Sequence, residues 1–162
     1  MTNIGNPSKA KENFKVNYTI FFALLTGLIM FVLIAYLAIL KDIKDSDRSL
    51  LNIFMFVVPA FAIVMIFLSR FMYNKISQQV NGASSLFEKI GKYRTAKIVS
   101  WAMLEGAGLF SIVAFIITHS EFFLIVFFVI VGAFILSKPS IEEFMNDFKI
   151  EVNEQDELTK QV

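Results

Sequence analysis

The sequence predicts an all-α polytopic membrane protein: four transmembrane helices arranged as two hairpins, followed by a short amphipathic helix. Three observations lead there. Of 162 residues, 56% are hydrophobic and only 18% are charged, whereas a soluble domain carries about 25% charged residues. The apolar residues gather into long runs such as Phe21-Phe22-Ala23-Leu24-Leu25 that do not alternate with polar ones, as the strands of a membrane barrel would. Lysine and arginine, finally, are concentrated in alternate connections between those runs.

A bilayer core about 30 Å thick needs roughly 20 apolar residues in a helix. Residues 1–15 form a polar N-terminal segment with Lys9, Lys11 and Lys15. The first span, 16–40, is free of charge from Val16 to Leu40 and is too long to be the core of a signal peptide. The second, 49–72, has Pro59 near its middle, and the third, 96–118, contains one charge from Ile98 to Thr118, Glu105. The fourth, 121–137, is apolar from Phe122 to Ser137. It covers roughly 24 Å, so Glu121 and Lys138 are expected to snorkel from its ends. The transmembrane domain thus covers 16–138, and 139–162 form an acidic tail.

Of the 15 Lys and Arg residues, 12 fall in the N-terminal segment, in or beside the connection between the second and third spans (Arg70 to Lys97), and in the tail counted from Lys138. The opposite side holds Lys41, Lys44 and Arg48 beside Asp42, Asp45 and Asp47, then the turn His119-Ser120-Glu121. Positive residues favour the cytoplasm, so both termini are expected there, with the protein in the cell (inner) membrane. Tyr18, Tyr73, Tyr93 and Trp101 fall near that boundary, where an interfacial aromatic belt would lie. The connection Asn74–Arg94 reads as a solvated loop, with a turn at Asn81–Ser85 and a short amphipathic piece at Leu86–Ile90.

Pro139 should end the fourth helix. Ser140 followed by Glu143 has the spacing of a capping box at the start of a new helix, 140–152. Ile141, Phe144, Met145, Phe148 and Val152 share one face of it. From Ser140 to Glu157 the net charge is −6. Helices that lie on anionic lipid are basic, so this face is expected to meet protein instead. The candidates are the chain's own basic connection near Lys89, Lys92 and Arg94, or a separate partner.

Glu105 is the residue that needs an explanation. It stands eight residues beyond Lys97, about 12 Å into the membrane. A carboxyl group there costs about 2.5–3.5 kcal/mol, so it should be protonated or partnered. Counting depth on the other spans places Thr26, Gly27, Pro59, Gly106, Gly108 and Gly132 at a similar level. Pro59 leaves the carbonyl of Met55 without its helical donor, and Thr26 offers a hydroxyl. A polar pocket at mid-membrane is the expectation. Glu105 would either fix helix packing there, relay a proton or cation, or meet a partner's cation.

The string Ala102-Met103-Leu104-Glu105-Gly106-Ala107-Gly108-Leu109-Phe110-Ser111-Ile112-Val113-Ala114-Phe115 resembles the ion-carrying second helix of rotary ATPase proteolipid (c) subunits. In that family a mid-membrane carboxylate carries the proton or sodium ion. The resemblance implies Glu105 as ion carrier, with Gly106, Leu109 and Phe110 shaping its site. It covers one helix; the preceding span is rich in Phe and contains Pro59 where the family has a ladder of glycines.

Chemistry is otherwise thinly provided. The chain has no Cys and one His, which empties the usual nucleophile and metal-ligand sets. A net charge of +1 gives no basic face for nucleic acid. No catalytic residues, metal or other cofactor is expected. The reading is a small accessory or interaction subunit of a membrane complex, with lipids and a protein partner or a second copy as its contacts. The alternative is a proton- or cation-coupled transport component that uses Glu105.

Overall fold

In the computed structural model, residues 7–41, 48–80, 84–148 and 150 are described. They form five helices and, among the described residues, no strand: α1 (Pro7–Lys41), α2 (Arg48–Ser77), α3 (Leu86–Thr118), α4 (Phe122–Leu136) and α5 (Ile141–Asp147). The first three are long and apolar enough to cross a membrane. α4 counts as a fourth when taken with α5, from which it is separated by a bend of 71°. The charged stretch 42–47, residues 81–83 of the predicted turn, and residues 151 to 162, Val152 included, lie outside the described residues.

α3 is the hub. It packs against α1, α2 and α4, while α1 and α2 scarcely touch each other. α1 runs parallel to α3, pairing Asn17 with Arg94, Phe21 with Trp101 and Tyr36 with Phe115. α2 runs antiparallel, pairing Phe61 with Phe110 and Tyr73 with Tyr93. Between them the hydroxyls of Ser69 and Ser100 meet at 2.6 Å, both buried. Such hydrogen bonds join helices where apolar burial alone gives no net drive. α4 returns along α3: Ser111 Oγ donates to the carbonyl of Phe123 at one end, and Trp101 Nε1 donates to the carbonyl of Ser137 at the other.

The core is aromatic and closed. Trp101, Phe127, Phe134 and Ile112 are fully buried with Leu28 and Phe21 around them. Three helices meet at Gly108, where an added Cβ would lie 3.2 Å from Leu28 Cδ2 and 3.6 Å from the Phe127 ring. The flexible Leu28 side chain can yield to a methyl group but not to a branched one. Gly108→Ala is therefore expected to leave stability nearly unchanged, and Gly108→Leu to lower it by about 2–3 kcal/mol by overpacking. Unfolding in mixed detergent micelles, followed by circular dichroism, checks both.

Helix ends differ from the sequence expectation in informative ways. α3 begins at Leu86, ten residues before the predicted third span. Ser85 is its N-cap, its Oγ accepting from the Glu88 N–H. Leu86–Ile90 is therefore the first turn of a long helix and not a separate piece, and the connection shrinks to 78–85. α3 ends at His119, which sits in the left-handed region (φ 54°) and returns its N–H to the Phe115 carbonyl. Histidine is among the few side chains that tolerate this conformation. The aromatic belt is corrected as well. Of its four members only Tyr18 faces outward; Tyr73, Tyr93 and Trp101 are buried, because their polar atoms find partners inside the protein.

Candidate functional site

The most elaborate polar arrangement lies at the end of the bundle where α1 and α3 begin. α1 and α3 both extend past their predicted spans, and with the end of α2 they form a seat on which α5 lies. The connection 137–140 contains Pro139, which cannot continue α4. It turns the chain by 71° and lays α5 across the helix ends. Phe144 and Phe148 are completely buried, and Ile141 and Met145 are partly so. Their rings pack on Tyr93 at centroid distances of 5.2 and 5.4 Å, and Phe14 stacks on the same tyrosine at 5.5 Å.

Beneath α5 lies Lys97, only 2% exposed. Its ammonium has three protons and meets three acceptors: Glu143 Oε2 at 2.6 Å, Glu143 Oε1 at 2.9 Å and the Ser137 carbonyl at 3.1 Å. The rings of Tyr73 and Tyr93 stand 4.8 and 5.6 Å from it, within cation–π reach. Tyr73 donates to Asp147 Oδ2 at 2.9 Å. Tyr93 accepts from the Ser140 N–H at 3.0 Å and donates toward the Ser140 carbonyl and Glu143 Oε2. A buried charge is tolerated only when satisfied in this way.

The predicted capping box does not form. Ser140 is the N-cap, but its side chain makes no capping bond. Glu143 turns to Lys97 instead, since a charge-assisted bond to a buried ammonium outweighs a reach back to an amide that Tyr93 already accepts. The apolar face of the tail meets protein, and that protein is the chain's own. The contact is made on the ends of α1, α2 and α3, with Lys97 supplying the cation. Lys97 stands at the membrane boundary expected from sequence; the clue to its burial is the spacing Tyr93-Lys97-Trp101, one buried stripe on α3.

The depth-matched residues around Glu105 are not brought into one cavity. Glu105 is partly exposed, and neither hydrogen bond nor ion pair joins it to another described residue. Thr26 and Gly27 are exposed, and Thr26 lies roughly 140° around α1 from Phe21, which faces α3. Gly106 and Gly132 are exposed too, and a Cβ added at Gly27, Gly106 or Gly132 would meet nothing within 4 Å. Gly106 lines an apolar groove with Met65, Leu68 and Met103, whereas Pro59 lines a different one with Ile66 and Val129. Gly108 alone of the described glycines marks a close approach. Of the small α3 residues, Ala107, Gly108, Ser111 and Ala114 face neighbouring helices, and Ala102 and Gly106 face outward.

Among the described residues no group of three or more His, Asp and Glu could hold a metal ion. No protein-family model, no curated protein and no solved structure matches the chain.

Proposed function

We propose that this chain is a four-span protein of the cell (inner) membrane, with both termini cytoplasmic, that works as an accessory or interaction subunit of a membrane complex. The topology rests on the asymmetry of Lys and Arg, 12 on one side against 3 on the other. One observation carries the functional part: the cap formed by α5 over the bundle end. Lys97, Glu143, Tyr73, Tyr93 and Asp147 bind one another there, and the bundle interior beyond them is filled by Trp101, Phe134, Phe127 and Phe123. A protein whose polar groups serve its own closure acts through its surfaces. The acidic tail that continues from α5 is the surface we assign to the partner.

The test pairs two variants of the full chain. Glu105→Gln keeps a hydrogen-bonding group but cannot titrate. It is expected to leave co-isolation of the native complex intact and to change stability by no more than about 0.5 kcal/mol. Deletion of residues 151–162, which keeps α5 on the chain, is expected to abolish co-isolation. Liposomes containing the purified protein and a pH-sensitive dye should leak protons no faster than empty ones. A flux that Glu105→Gln removes would overturn this reading in favour of transport.

A further inference from the structure

We propose that α5 is a releasable clasp, and that its seat is a receptor for a helical segment carrying a carboxylate, an aromatic residue immediately after it and a second aromatic four positions later. This rests on the interaction reading above and deepens it, by naming the chemistry of the partner segment. In the chain itself the pattern is Glu143-Phe144 and Phe148.

Three features make α5 the part of the fold that can leave. It has seven residues, too few to remain helical in water, so it is a helix only while seated. No side chain caps its N-terminus. Its one ion pair among the described residues is buried on the lysine side, and such a pair adds little net stability because both charges lose water in forming it. The same pair is selective. With α5 lifted, Lys97 and the hydroxyls of Tyr73 and Tyr93 lie at the bottom of an aromatic cup walled by Phe14, and an apolar helix without a carboxylate would strand the ammonium there. The connection 137–140 makes the swing local: Ser137 is tied to Trp101 and stays, and α5 moves beyond it. An outside segment must compete with a tethered one, whose effective concentration is of millimolar order. The seat is therefore closed until a partner presents the pattern at high local concentration, as a neighbouring subunit of one complex would.

The experiment uses the full chain in lipid nanodiscs. The chain has no cysteine, so Asn146→Cys, on the exposed side of α5, takes one environment-sensitive label. Two synthetic peptides of residues 138–150 are titrated in, one with the parent sequence and one carrying Glu143→Gln. The parent peptide is expected to shift the label and to deprotect the α5 amides to hydrogen exchange, while α3 stays protected. Its midpoint should fall about tenfold when the chain itself carries Glu143→Gln, and the Gln peptide should be about tenfold weaker than the parent peptide. Equal potency of the two peptides, no displacement in either chain, or α5 amides that exchange only at the rate of those in α3 would overturn the proposal. Co-isolation and proton flux judge the broader reading separately, so the two fail distinguishably.

Discussion

Lys97→Met is expected to destabilise the seated form of α5 by about 3 kcal/mol, enough to leave it mostly open. The change keeps the bulk of the side chain and removes only the charge. Glu143 would then keep the Tyr93 hydroxyl as its partner, with no cation to balance it. A carboxylate in that position either takes up a proton or pulls α5 off its seat. The double variant Lys97→Met/Glu143→Leu is expected to recover most of the loss, because it replaces a costly buried pair by an apolar one of similar volume. Hydrogen exchange of the α5 amides in the single and double variants measures both. If the double variant opens as far as the single one, the ion pair is a net stabiliser and the balance described here is wrong.

Trp101→Ala should cost the bundle itself about 3–5 kcal/mol. The indole is fully buried, packs against Phe21 and Phe134, and donates to the carbonyl of Ser137 at 3.1 Å. Its removal leaves a cavity among three helices, with Lys97 as the remaining donor to the carbonyl of Ser137. Trp101→Phe keeps much of the packing and loses the hydrogen bond, for which about 1 kcal/mol is expected. Unfolding in mixed detergent micelles separates the two, and near-equal costs would show that the hydrogen bond outweighs the packing.

The elements with a strong one-dimensional signal were legible. Runs of 20 or more apolar residues gave three long helices, and Pro139 marked the break before α5. The face Ile141, Phe144, Met145 and Phe148 was read from helical spacing and is the face that packs. What it packs against was harder to see. Lys97 looks like a boundary lysine when depth is all that is counted, and its burial depends on α5 folding back to place Glu143, 46 residues later, against it. The pocket around Glu105 shows the same gap from the other side. Depth can be counted along a helix, but the angle around it depends on which neighbour it packs against. Thr26, Gly27, Gly106 and Gly132 match Glu105 in level while facing away from the core. Glu143 illustrates a third case, where a correct local spacing was overridden by a stronger distant partner.

Because α1 and α2 scarcely meet except through α3, the order of synthesis matters. The first hairpin to emerge has no interface of its own to settle into. Its two helices must wait in lipid, or against the insertion machinery, until the third arrives to separate and hold them. A nascent chain stopped before Leu86 should accordingly be an early target for quality-control proteolysis, and the moment of commitment is the entry of α3.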